Sequence, residues 1–256
     1  MIDRRGVERA FLAYAAEYDV SDPKIQLKIA HTARVARLCE RIAASAGVKE
    51  PALAWLSGML HDIGRFEQVR RYHTFSDARS VNHALLGAEL LFAEGLLPRF
   101  APGLTPEQER ILEAAVRHHS AYRLPEGLSP EEGAYCRILR DADKLDIFRV
   151  NCETPLEAIY SVTEEEMRSS AVSPAVKACF KNRTAVLTGL KKTAADFMVG
   201  HICLVFELEY PLSRQLAREQ GYVDRMLDFR SENPETAGWF QYMRAHIWGE
   251  DDAEKG

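Results

Sequence analysis

The strongest constraint in this sequence is a set of polar side chains standing where helices should turn their apolar faces to a core. Between Lys24 and Ala46 the residues Leu27, Val35, Leu38 and Ile42 form an amphipathic stripe of three- and four-residue steps, and His31 falls on it. Between about Glu132 and Val150 the residues Cys136, Leu139, Asp143, Asp146 and Val150 repeat the pattern, so Asp143 faces inward as well. A carboxylate carried into a core is costly unless it is paired or bound to a metal.

The surrounding segments also read as helices. PALAWLSGMLHD predicts one with Pro51 in its first turn and Gly64 just past its end. NHALLGAELLFAEG predicts another, stopping at Gly95, and Gly47 closes the helix that carries His31. Thr105-Pro106-Glu107-Gln108 has the cap, the first-position proline and the returning glutamine of a capping box, opening a helix that continues to His119. Beyond Pro155 the segments EEEMRSSAVSPAVKACFKN and TAVLTGLKKTAADFMVGHICLVFELEY, and the run from Pro211 to Phe229, keep a helical period. Only MVGHICLVFELEY is β-branched and aromatic enough to leave a short strand open. With no Gly/Ser-rich linker or repeat, one domain over 1–256 is expected, ending in a charged, disordered tail, GEDDAEKG.

Charge and cysteine usage remove several classes. The 33 Lys and Arg against 38 Asp and Glu leave a formal charge of −5, without the basic excess that a nucleic-acid polymer demands of its partner. The opening MIDRRGVERAFLAYAAEYDV is interrupted by charge too often for a secretory core or a membrane span, which makes a cytoplasmic location the expectation. Cys39, Cys136, Cys152, Cys179 and Cys203 are scattered singly, without a C-x-x-C pair, and are expected to act as small hydrophobes.

The chemistry lies in the inward polar set. His61 and Asp62 are adjacent near a helix end, and Ala54, Ser57 and Gly58 one turn back leave room for another helix or an ion. His83 has Gly87 one turn later on its face. His118 continues the Ile111/Ala115 line and His119 the Leu112/Val116 line, so two imidazoles project to one side. A single inward histidine is more often a hydrogen-bonded core residue than a ligand. The ordered set His, His-Asp, His, His-His, Asp on successive helices reads instead as a metal site. Imidazoles with carboxylates suit Fe, Mn, Co, Ni or Zn, whereas an all-oxygen set would suit Mg or Ca.

The segments HTARVARL, GMLHDIGR, VNHALLGAELL, AAVRHH and ILRDADKLD resemble the successive motifs of the HD superfamily of metal-dependent phosphohydrolases. The resemblance implies an all-α fold, an HD-domain helical bundle over about 24–150 followed by a helical extension over about 155–248. It implies that His31, His61, Asp62 and Asp143 bind a first divalent ion, Asp143 rather than Asp141 filling the Ala-Asp-x-Leu slot. His83, His118 and His119 resemble the binuclear branch, in which Asp62 bridges two ions, His83 and His118 complete the second site, and His119 is either a ligand or a substrate contact. The similarity to HD-GYP cyclic-dinucleotide phosphodiesterases fails after His119, where the chain reads SAYRLPEGL without Gly-Tyr-Pro. The implied reaction is hydrolysis of a small-molecule phosphate ester, a nucleotide or a relative, with neither a nucleic-acid polymer nor a membrane as partner. Arg65 is placed either at the substrate phosphate or as a solvated loop arginine, and Lys144 either at the developing charge or leaving group, or as a surface lysine or the partner of a neighbouring acid. A mixed-valent di-iron oxygenase on the same fold is the alternative.

Overall fold

The computed structural model describes residues 2–160 and 162–249. Of the charged tail over 249–256, expected to be disordered, all but Gly249 lies outside the described residues. The chain divides into two compact units, Met1–Asp146 and Ile147–Gly256. Among the described residues the regular structure is helical throughout, without a strand.

The first unit opens with α1 (Arg4–Ala15), capped by Asp3 and burying Val7, Phe11, Tyr14 and Ala15. Its apolar period runs beneath the charges that fill the same stretch. Next comes α2 (Pro23–Ser45), with Asp22 accepting from the Lys24 amide at 2.8 Å, proline in the first turn and left-handed Gly47 just beyond its end. It is followed by α3 (Pro51–Leu60) and α4 (Ile63–Tyr72). The expected helix end at Gly64 is not there: α3 stops at Leu60, and Gly64 lies inside α4. A Cβ on Gly64 would lie 2.2 Å from the His83 carbonyl oxygen and 2.6 Å from the Gly87 amide nitrogen, so this glycine serves close packing rather than termination.

Then come α5 (His83–Ala88), running into one π-helical turn over Glu89–Ala93, the short α6 (Leu97–Phe100) and α7 (Pro106–His118). Thr105 and Gln108 form the expected capping box at the start of α7. The long α8 (Pro130–Glu153) crosses the boundary between the units. In the first unit α3 packs on α2 and α7, while α5 packs on α4 and α7. Val35, Ala36, Leu56, Leu60, Leu112, Val116, Ile138 and Leu139 make its fully buried centre.

The second unit holds α9 (Leu156–Tyr160), α10 (Glu164–Ser169), α11 (Pro174–Lys181), α12 (Ala194–Ile202), α13 (Pro211–Gln220), α14 (Tyr222–Leu227) and α15 (Pro234–His246). Met167, Val176, Val199, Ile202, Val223 and Met243 form its core. The segment that left a strand open is the end of α12 followed by a 3-10 turn over Cys203–Glu207. Its β-branched residues are buried by packing, which outweighs their strand preference. No helix of the described residues is long and apolar enough to cross a membrane. The five cysteines are unpaired, with Cys39, Cys136 and Cys203 buried.

One close approach between helices fixes where His31 and His61 stand relative to each other. A Cβ on Gly58 of α3 would lie 2.5 Å from the Cα and 2.8 Å from the amide nitrogen of Ala36 on α2. Backbone cannot yield as a side chain can, so the α2–α3 contact requires glycine there. Gly58→Ala is expected to lower unfolding stability by about 2 kcal/mol, read from urea melts, whereas Gly47→Asn, at a solvent-open helix end, should cost well under half of that.

Candidate metal centre

The helices of the first unit bring their polar residues to one place. His31 lies in the middle of α2, His61 and Asp62 form the joint between α3 and α4, His83 is the first residue of α5, His119 follows the last residue of α7, and Asp143 stands on α8. His31, His61, Asp62, His83 and His119 are each no more than 4% exposed. The rings converge through their Nε2 atoms, at 3.3 Å between His31 and His61 and 3.0 Å between His83 and His119. The His61 and His119 rings meet edge-on with centroids 5.0 Å apart, joining the two pairs.

The other ring nitrogen of each histidine is already committed. Nδ1 of His31 faces Asp146 Oδ2 at 2.6 Å, and Nδ1 of His83 faces Asp77 Oδ2 at 2.7 Å. Nδ1 of His61 faces the Gly58 carbonyl at 2.8 Å, and Nδ1 of His119 the Val116 carbonyl at 2.7 Å. Those oxygens only accept, so Nδ1 is the protonated nitrogen of each ring and Nε2 of the neutral ring is left with a bare lone pair. The holders are themselves held. Arg34 grips both oxygens of Asp146, and Asp77 Oδ1 accepts from Arg65 and from the fully buried Gln68, each at 2.9 Å.

Asp62 stands between the two pairs. Its Oδ2 lies 3.3 Å from His61 Nε2 and 3.6 Å from His31 Nε2, and its Oδ1 lies 3.6 Å from His83 Nε2 and 3.9 Å from His119 Nε2. Each oxygen also has one cation: Lys28 Nζ at 2.6 Å on Oδ2 and Arg65 Nε at 3.7 Å from Oδ1. Asp143 Oδ1 closes the first pair, 3.1 Å from His31 Nε2 and 3.9 Å from His61 Nε2. Burial opposes ionisation of Asp62, yet the Lys28 ammonium and the surrounding imidazoles hold it well below the usual carboxylate range. Asp143 is likewise pushed down against burial by His31, His61 and His119. Burial and the charges of neighbouring groups depress His83 and His119, the latter to about 3, so both stay neutral at physiological pH. His31 goes the other way: burial and Lys28 lower its pKa, but hydrogen bonds to Asp143 and Asp146 outweigh them.

Ligand atoms of His31, His61 and Asp143, and separately of His61, Asp62 and His119, lie within 4.8 Å of one another, close enough to share an ion. Bare imidazole lone pairs and anionic oxygens converge here in excess of the protons available to join them. That donor set fits one or two first-row divalent cations.

His31, His61, Asp62, Asp143 and His83 thus stand together, but His118 does not stand with them. The inward axis of α7 runs along Leu112, Ala115 and Val116, all fully buried, whereas Ile111 and Ala114 are 4% and 9% exposed. His119 continues the first line and His118 the second, which leaves His118 half-buried on the flank. Arg140 of α8 donates to the His118, His119 and Ala121 carbonyls and so fixes the chain where His119 turns in.

Arg65 is engaged inside the protein: its Nη1 donates to Gln68 Oε1, the Phe75 carbonyl and Asp77 Oδ1. Lys144 lies 4.0 Å from Asp141, one turn back on α8. Three contributing residues, Lys28, Arg34 and Asp77, have no place in the sequence pattern, and a fourth, Asp146, stands on its inward stripe without a role assigned to it. Lys28 and Arg34 flank His31 by one turn on either side, so helical phase could have found them. Asp77 sits in a 3-10 turn between helices, where no period points to it.

Residues 29–147, just under half of the chain, match the HD domain family model, which indicates a superfamily of metal-dependent hydrolase type. No curated protein matches the chain. Protein loaded with Mn2+ and desalted should carry less metal in His119→Ala than in wild type, and as much as wild type in His118→Ala, by elemental analysis.

Proposed function

We propose that the first unit is a phosphohydrolase that uses a pair of divalent transition ions to cleave a small phosphate ester, a nucleotide or a related compound. The observation that supports this most is the division of labour at Asp62, where each carboxylate oxygen faces its own pair of imidazole Nε2 atoms. His31, His61 and Asp143 would hold one ion, His83 and His119 the other, with Asp62 common to both. Bound there, such ions supply a water acidic enough to attack at neutral pH and a Lewis-acid clamp for phosphate oxygens.

The chain's own residues supply orientation and charge. Asp146 and Asp77 fix the ring planes of His31 and His83 and raise their basicity, and the Gly58 and Val116 carbonyls do the same for His61 and His119 at lower charge. Lys28 and Arg65 approach the face of Phe75, at 5.4 and 5.5 Å from its centroid, and both side chains keep 15% of their surface exposed. The centre therefore carries two positive groups beside Asp62, suited to an anionic substrate.

A panel of nucleotides and other phosphate esters, offered anaerobically to protein loaded with Mn2+, Fe2+, Co2+, Ni2+ or Zn2+, should yield inorganic phosphate with at least one pair. Chelation should abolish that release and lower the melting temperature, and restored metal should return both. Metal-dependent consumption of O2 with an organic substrate, without phosphate release, would replace this reading with an oxygenase.

A further inference from the structure

Lys28 is the side chain on the metal centre to which the sequence pattern assigns no place. Its Nζ lies 2.6 Å from Asp62 Oδ2, closer than any imidazole of the cluster and on the oxygen shared with His31 and His61. Among the described residues Asp62 is its one hydrogen-bond and ion-pair partner, and its other contact is the face of Phe75. Arg65, the cation on Oδ1, differs in kind. It is tied by Nη1 to Gln68, Phe75 and Asp77, and a planar guanidinium bound at three points cannot leave without dismantling the turn that carries Asp77. Lys28 has a flexible four-carbon stem, one ionic tether and an aromatic face to rest on.

A metal ion on Oδ2 and an ammonium on Oδ2 compete for the same lone pairs and repel each other in a site almost closed to water. Resting on the two-ion reading of the centre, we propose that Lys28 is an exchangeable counter-ion: it neutralises Asp62 in the metal-free protein, is displaced by the first ion, and then presents its ammonium from the Phe75 face to the phosphate of the substrate. The exchange gives the metal-free centre a defined structure, since a carboxylate 2% exposed would otherwise lack a full countercharge on that side. It also lowers metal affinity by the strength of the contact that must be broken. The released charge appears beside the ions only once they are in place, so phosphate binding is coupled to metal loading.

The test uses the full chain and two variants, Lys28→Met, of similar length without the charge, and Lys28→Arg, which keeps it. Mn2+ affinity is read by calorimetry, and inorganic phosphate affinity on the Mn2+-loaded protein by the same method. Lys28→Met should bind Mn2+ about tenfold tighter or more at unchanged stoichiometry. Its metal-free form should melt below wild type, and once loaded it should bind phosphate several-fold more weakly. Lys28→Arg should bind Mn2+ no tighter than wild type and, once loaded, keep most of the phosphate affinity. Equal or weaker Mn2+ binding in Lys28→Met, or tighter Mn2+ binding with undiminished phosphate affinity, overturns the proposal. If wild type itself binds no metal, the two-ion reading falls and the exchange falls with it. Metal-binding wild type with an indifferent Lys28→Met overturns the exchange alone.

Discussion

The structure of the first unit turns on where four protons sit. His31, His61, His83 and His119 each give the Nδ1 proton to an oxygen that can only accept, two of them carboxylate oxygens and two of them backbone carbonyls. Each ring is thereby fixed in plane and tautomer, and all four Nε2 atoms are aimed at Asp62 and Asp143. Without that commitment the rings would pair with one another or with the acids as ordinary core histidines. With it, helices from across the first unit share a point at which only a positive charge relieves the crowding of lone pairs.

The fold supplies these holders economically. For His61 and His119 the acceptor is the carbonyl three residues earlier on the same helix end, a group that lacks a complete set of intrahelical partners in any case. For His31 and His83 the acceptor is a carboxylate from elsewhere in the chain, and each carboxylate is braced by an arginine. The difference has electrostatic consequences. A ring backed by a carboxylate is a stronger base than one backed by an amide carbonyl, and each Asp62 oxygen faces one ring of each kind. Part-buried ion pairs of this sort add little net stability, but removing one partner leaves the more buried one without its countercharge. The Arg34–Asp146 and Arg65–Asp77 pairs are therefore better understood as positioning the rings than as stabilising the bundle.

Much of the centre is legible in the sequence, because helical phase carries its own geometry. The stripe through Leu27, His31, Val35 and Ile42 puts His31 inside, and the stripe through Leu139 and Asp143 chooses Asp143 over Asp141; both His31 and Asp143 stand in the cluster. The capping box at Thr105 and Gln108 marks the start of α7. Where the pattern misleads, it does so for physical reasons. Gly64 has the look of a helix stop, yet its lack of a side chain serves contact with α5, and α4 continues through it. The choice between His118 and His119 depends on about 100° of helical rotation, which a stripe read from five residues does not resolve. Arg65 is visible as a basic residue beside the His-Asp pair. Of its partners, Gln68 lies one turn on along α4 itself, but Phe75 and Asp77 are brought to it by the segment after α4, which has no periodicity from which to read them.

If the convergent Nε2 atoms are metal ligands and Asp62 is shared, the most direct measurement is anomalous diffraction at the manganese edge from crystals grown with Mn2+. Two peaks flanking Asp62 are expected, one within bonding reach of His31, His61 and Asp143 and the other within reach of His83 and His119. A map with no peak against these nitrogens, in crystals whose cluster is otherwise ordered, would contradict the assignment.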